Sequence, residues 1–272
     1  MPEDAEFGLK SWGKLPKKGK RERKMKIEVY ATFDSVKDLK GKIAIVIDVL
    51  RATSVITTAL SNGAERVIPV ASVEEAFALA KGLNGRVLLG GERGAVKISG
   101  FDLGNSPLEY KREQVMGKTV ILTTSNGTKA IKASEDAHLV LIGCFLNAGA
   151  VAEKALEFAC SGETAGVAVV CAGTLGQFSL DDAACAGLIV DCLVRNIERQ
   201  KKILELSDLA FVCRDLYLHH QRDLRALISN AAHYRRLISL GFERDIDYCL
   251  QRDVLKTVAT HDATTNSIKT VG

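Results

Sequence analysis

The chain has 272 residues, 47% hydrophobic and 26% charged, with a formal net charge of +4; this is the composition of a globular protein with room for one large domain or two small ones. No apolar run reaches the roughly eighteen residues that span a bilayer and no apolar leader opens the chain, so neither a membrane role nor export is expected and a cytoplasmic location is. Residues 1–24 hold eight Lys/Arg and four Asp/Glu, which accounts for the whole net charge. The run KKGKRERK (17–24) has no apolar periodicity and no interleaved aromatics. It reads as a disordered basic extension rather than a nucleic-acid-binding element. The folded domain is expected to start at Met25. Seven cysteines, an odd number without a C-x-x-C pair, read as reduced core residues.

In chain order, β-branched and apolar runs place strands at 26–30, 43–47, 66–70, 86–89, 119–122, 138–142 and 166–171. Ser72 and Glu75 form a capping box that opens a helix through Lys81. Residues 146–160 and 181–200 carry helical periodicity. From about 205 the pattern reads as wholly helical, with segments near 206–218, 221–230 and 232–240. Strands alternating with helices imply βαβ units. The expected fold is therefore a three-layer α/β/α architecture, with a mainly parallel sheet and a helical C-terminal third. One domain is expected over 25–260, followed by a tail at 261–272.

Three segments repeat one plan of buried strand, polar turn and helix: IAIVIDVLRATS (43–54), TVILTTSNGTKA (119–130) and VAVVCAGTLGQFSLDDAA (167–184). Ligand crevices of open α/β sheets form at the carboxyl ends of strands, so all three turns are expected at one sheet edge. Asp48 ends the first strand and suits a hard cation; Arg51 suits a forked contact to phosphate or sulfonate oxygens. Thr53 and Ser54 add hydroxyls. The structural alternative is an Asp48 N-cap with Arg51 on a helix face. In the second turn, Thr124, Ser125, Asn126 and Thr128 supply polar groups and Gly127 a tight bend. A helix starting there would aim free N–H groups at an anion, or would simply be capped by Ser125 or Asn126. In the third, Gly173 permits close backbone approach, and the adjacent carboxylates Asp181 and Asp182 suit Mg²⁺ or favour the helix dipole. Cys171 reads as a packed thiol rather than a nucleophile.

The Gly-rich stretch 90–110 (GGERGAVKISGFDLGNSPLEY) is a long polar loop, and such loops in compact domains are functional or disordered. Phe101, Leu103 and Leu108 point to anchoring. Glu92 and Arg93 repeat the carboxylate–guanidinium pairing of Asp48 and Arg51, with Lys97, Asn105 and Ser106 close behind.

Taken in order, DVLRATS, GGERG, GFDLGNSP, TTSNGT and CAGTLGQFSLDDAACAG resemble the 2-phosphosulfolactate phosphatase family, the phosphatases of coenzyme M biosynthesis. The resemblance covers about 25–255 and includes CLQRD (249–253). It departs at Val258–Ala259, where the family has Val-Pro, and in the segment to Gly272. It implies an α/β/α, Mg²⁺-dependent phosphomonoesterase converting (2R)-2-phospho-3-sulfolactate to 3-sulfolactate and phosphate. Asp48, Arg51 and Asp181 are then expected to be catalytic, with Asp48, Asp181 and Asp182 around the metal. Substrate contacts are expected from Arg51, Ser54, Glu92, Arg93, Asn105, Ser106, Thr124, Ser125, Asn126, Gly127, Thr128 and Gly173. The expected partner is a small phosphorylated sulfonate, not nucleic acid or membrane; a homodimer is left open.

Two mechanisms stay open. In the favoured one, water attacks a metal-held phosphate. In the other, Asp48 attacks phosphorus and forms an aspartyl-phosphate. DVLRATS resembles the haloacid-dehalogenase motif in its first Asp only, since Leu50 stands where those enzymes carry a second. A phosphatase for another phosphorylated hydroxy acid and a non-catalytic anion-binding module are the alternative functions. Either Asp48→Asn or Arg51→Ala is expected to reduce turnover while the fold stays intact.

Overall fold

The computed structural model describes residues 24–83, 85–161, 164–200 and 203–271; the extension expected at 1–24 lies outside them except for Lys24. The first half of the chain forms β1 (Met25–Tyr30), β2 (Lys42–Ile47), α1 (Ala52–Ser61), β3 (Arg66–Pro69), α2 (Val73–Gly82), β4 (Val87–Arg93), β5 (Val96–Lys97), α3 (Arg112–Val115) and β6 (Thr119–Thr123). Then follow α4 (Gly127–Ala133), β7 (Leu139–Gly143), α5 (Ala148–Ser161), β8 (Gly166–Cys171), α6 (Leu180–Arg199), β9 (Leu204–Leu206) and α7 (Asp208–His220). The chain closes with α8 (Leu224–Ile228), α9 (Ala232–Ser239), α10 (Glu243–Cys249), β10 (Ala259–Asp262) and β11 (Ser267–Thr270).

All seven expected strands form, and β2, β6 and β8 form because their apolar runs are buried on both faces. In β2, Ile43, Ile45 and Ile47 pack into one core with α5, α6 and α7. The alternating Ala44 and Val46 pack into another with α1 and α4. Val67, Val120 and Leu122 of β3 and β6 join that second core, while Ile68 and Ile121 turn the other way onto α2. Helices therefore cover both faces, and the architecture is three-layer α/β/α. Ser72 caps α2 as expected, its side chain accepting from the Glu75 N–H at 3.1 Å.

The sheet order is β5-β4-β6-β3-β11-β10-β7-β2-β8-β1-β9. Two parallel blocks, β7-β2-β8-β1-β9 and β3-β6-β4, are joined by an antiparallel hairpin, β10–β11. This corrects two expectations. The segment 261–272 is not a tail, since His261 and Ile268 are buried inside the sheet and a boundary at 260 would cut through β10. Nor is the chain wholly helical after 205, because β9 pairs with β1 and the hairpin follows α10. A strand whose neighbours are remote in sequence leaves only a weak local signal.

The hairpin also sets the relative sense of the blocks. Through it, β6 runs opposite to β2 along the hydrogen-bonded order, so the three polar turns do not share one edge of a single parallel sheet. They meet nonetheless. Strands twist in one sense from neighbour to neighbour, and the sheet coils enough that Val46 of β2 and Leu122 of β6 share one core and Gly127, just after β6, lies against Asp48. Truncating the chain after Thr257 should remove the shared partner of β7 and β3 and leave two apolar edges. We expect insoluble or unfolded protein, read by soluble yield and circular dichroism; a soluble, native-like product would show that the blocks associate without the hairpin.

Candidate active site

Asp48 sits where β2 ends, 8% exposed. Its Oδ1 accepts from the Ala52 N–H at 3.2 Å, at the start of α1. Thr53 locks the turn, accepting from the Asp48 N–H at 3.1 Å and donating back to the Asp48 carbonyl at 2.9 Å. The start of α4 closes from the other side. A Cβ on Gly127 would lie 2.5 Å from the Ala52 Cβ and 2.7 Å from Asp48 Oδ2. Only glycine lets the two helix starts converge on this carboxylate. Gly127→Ala should cost about 1–3 kcal/mol and displace Asp48. The checks are an unfolding midpoint and a turnover assay, and unchanged values in both would remove this close approach from the argument.

Two further carboxylates brace the turns. Glu92 Oε1 accepts from the Ser125 N–H and Oε2 from the Ala95 N–H, both at 2.7 Å. Asp182 Oδ1 accepts from the Val49 N–H and Oδ2 from the Gly173 N–H, both at 3.0 Å. Asp181 takes the Ser179 hydroxyl at 2.8 Å. The result is a concentration of buried negative charge. Burial raises the Asp48 pKa to about 7, helped by repulsion from Glu92 and Asp181 and opposed by the amides of Ala52 and Gly127. Burial, with Asp181 and Asp48, also pushes Asp182 well above the usual carboxylate range. Burial likewise drives the Cys171 thiol well up, as expected of a packed thiol and not of a nucleophile.

A cavity of about 290 Å³ opens over Asp48. Of the residues expected to bind or react, it is lined by Asp48, Arg51, Glu92, Asn105, Ser125 and Asn126. The others do not line it, and each has a local reason. Ser54 turns inward and donates to the Val49 carbonyl at 2.9 Å. Arg93 lies along the strand edge on the Glu92 carbonyl and the Thr123 hydroxyl. Ser106 donates to Asp245 at 2.7 Å. Thr124 and Thr128 cap one another at the start of α4. Gly127 and Gly173 shape the backbone, while Asp181 and Asp182 stand behind Asp48.

Arg51 is the largest departure. It is 2% exposed, with Nη1 on Asp245 Oδ2 at 2.5 Å and Nη2 on the Ala95 carbonyl at 3.0 Å. The Phe242 ring lies 4.1 Å from its Cζ. Its charge is matched inside the protein, so it ties the α9–α10 segment to the end of β2 instead of standing free for an anion. Sequence reasoning missed the residues that α9 brings to the cavity, His233 and Arg236. The two sit three apart on one helix face, beside the buried anchor Leu237, and that spacing was the available signal. The long loop is anchored as expected, with Phe101 and Leu103 buried and Asp102 accepting from the Leu89 N–H at 2.8 Å.

A small cavity at strand ends whose lining combines apolar residues with carboxylates, guanidinium groups and an imidazole is that of an enzyme of small charged molecules. Residues 30–264 match the family model for 2-phosphosulpholactate phosphatase. A Clostridium acetobutylicum protein named probable 2-phosphosulfolactate phosphatase is 47% identical over 236 residues, covering 86% of this chain and 96% of its own. A Clostridium perfringens protein of the same name is 48% identical over 239 residues, with 86% and 92% covered. One from Caldicellulosiruptor saccharolyticus is 42% identical over 236, with 86% and 96% covered. The chain belongs to the 2-phosphosulfolactate phosphatase family.

Proposed function

We propose that this protein is a Mg²⁺-dependent phosphomonoesterase that hydrolyses (2R)-2-phospho-3-sulfolactate to 3-sulfolactate and phosphate. It would act in the cytoplasm, in coenzyme M or a related sulfonate biosynthesis. The observation that carries the reading is Asp48, a buried carboxylate at the floor of a cavity sized for a small ligand, in a chain of this family. No helix among the described residues is long and apolar enough to cross a membrane.

The donor set fits Mg²⁺. Asp48 is repelled by Glu92 and Asp181, and Asp182 by Asp181 and Asp48, and that mutual repulsion is what a hard divalent ion would relieve. Mg²⁺ uses one or two carboxylates plus water and phosphate oxygens rather than a closed protein cage. Among the described residues no group of three or more His, Cys, Asp or Glu is placed to hold a metal ion, so one or two carboxylates would bind it and water and substrate oxygens would complete its coordination. Asp48, which lines the cavity, would hold the ion, Asp181 behind it would add its charge or its second oxygen, and Asp182, with both oxygens on backbone amides, would keep the two turns in place. When bound, the metal would polarise the phosphoryl oxygens. The chain's own part is positioning, the main need of phosphoryl transfer. Ser125 and Asn126 before α4 line the cavity and would meet the ligand there, and Glu92 fixes the Ser125 amide. We favour water as the nucleophile; in a single turnover in H₂¹⁸O, label entering the Asp48 carboxylate would instead establish the aspartyl-phosphate route.

Phosphate release from racemic 2-phospho-3-sulfolactate is expected with Mg²⁺, at no more than half conversion, and is expected to stop with EDTA. No release by folded protein, with release from another phosphorylated hydroxy acid, would move the substrate. Binding without any release would leave an anion-binding module.

A further inference from the structure

The cavity has a cationic wall that neither the family motifs nor the strand-end turns supply. Its cationic or cation-capable lining consists of Arg51, His233 and Arg236. Arg51 is charge-paired with Asp245. Arg93 and Lys97 do not line the cavity, and Lys97 Nζ lies 3.4 Å from the Asp102 carbonyl. This leaves α9. There Arg236 is exposed with one contact, Nη2 to the Gly94 carbonyl at 3.2 Å, so most of its guanidinium donors remain for a ligand. His233 is half-buried beside it.

A second observation points to a ligand in this cavity. Asn105 lines the cavity, is 6% exposed, and its Oδ1 has no hydrogen-bond partner. A buried polar atom without a partner is costly unless something completes it. Carboxamide O and N exchange by a simple flip, so this side chain can present either an acceptor or a donor to a bound molecule.

The charge layout then orients the substrate. The ester to be cleaved belongs at Asp48. The phosphate would be drawn there by Mg²⁺ at Asp48, and the sulfonate on the neighbouring carbon, a weak metal ligand, is left to the guanidinium donors of α9. Building on the phosphatase reading above, we propose that His233 and Arg236, with the Asn105 carboxamide, form the subsite for the substrate's sulfonate. On this assignment α9 is the specificity element. It selects phosphoesters that carry a strong acid one carbon from the esterified carbon, and Arg51 is a positioning residue that holds α9–α10 over the strand end.

The test compares wild type, Arg236→Ala, Arg236→Lys and His233→Ala on 2-phospho-3-sulfolactate and on 2-phospholactate, which has a methyl in place of the sulfonatomethyl group. Wild type should prefer the sulfonate in kcat/KM. Arg236→Ala should erase about 10- to 100-fold of that preference, mainly through KM, and Arg236→Lys should restore part of it. A wild type without preference, or a loss of equal size on both substrates, would overturn the assignment. If wild type hydrolyses neither ester, calorimetric titration with 3-sulfolactate and with lactate separates the two ideas. Sulfolactate binding that weakens in Arg236→Ala would keep the subsite and reject the phosphatase reading. Absent or unchanged binding would reject the subsite as well.

Discussion

Asp48→Asn is expected to lower kcat by about 10²–10⁴-fold, the range for removing a group that handles the reacting atoms, while leaving the metal-free protein at least as stable as wild type. The amide keeps an acceptor for the Ala52 N–H and abolishes the repulsion from Glu92 and Asp181. The sign follows from linkage. Asp48 ionises near 3.8 in an unfolded chain and at about 7 in the fold, so between those values the native state binds more protons than the unfolded state. Stability from this group is present below pH 4 and is lost as pH rises through 7. A displacement of this size is worth on the order of a few kcal/mol. In EDTA, the variant should therefore gain on wild type in urea midpoint as pH is raised from 5 to 8. Activity above a tenth of wild type, or parallel pH profiles of stability, would remove Asp48 from the role assigned to it. Loss of activity together with gain of stability is the mark of a group kept for chemistry and not for folding.

Arg51→Ala should do the opposite and damage the fold first. Removing one member of a buried, hydrogen-bonded ion pair costs about 3–5 kcal/mol, because the partner charge is left uncompensated. Here the stranded group is Asp245, and the Phe242 stack and the Ala95 carbonyl contact go with it. For a chain of this size that is roughly 10 °C or more in Tm. The motif alone suggested that this substitution would spare the fold; the geometry reverses that expectation. Neutralising both members, in Arg51→Met with Asp245→Asn, should recover much of the loss, since a buried pair replaced by uncharged groups is often neutral. A single variant that melts with wild type would show that the pair contributes nothing. A double variant no better than the single would move the damage from charge to packing.

The strands and their faces were legible in the sequence because burial on both sides leaves an uninterrupted apolar run, as at 43–47 and 167–171. The α2 start was legible because a capping box is a contact between residues three apart. Asp48, Glu92, Ser125 and Asn126 could be placed at the cavity from sequence because each lies at or next to a strand end, which is where crevices open in this class of fold, and Asn105 because it lies in the long polar loop. Three things depended on tertiary structure. The hairpin at 259–270 joins the two parallel blocks, and no local pattern announces a strand whose neighbours are β7 and β3. Arg51 pairs with Asp245, 194 residues away, and a guanidinium reads the same in sequence whether it meets a ligand or a buried carboxylate. His233 and Arg236 reach the cavity because Leu237 anchors α9 in the core and Arg51, Phe242 and Asp245 dock α10 beside it. Short-range periodicity records which side of an element is buried, but the partner of a buried charge is chosen by packing between segments far apart in the chain.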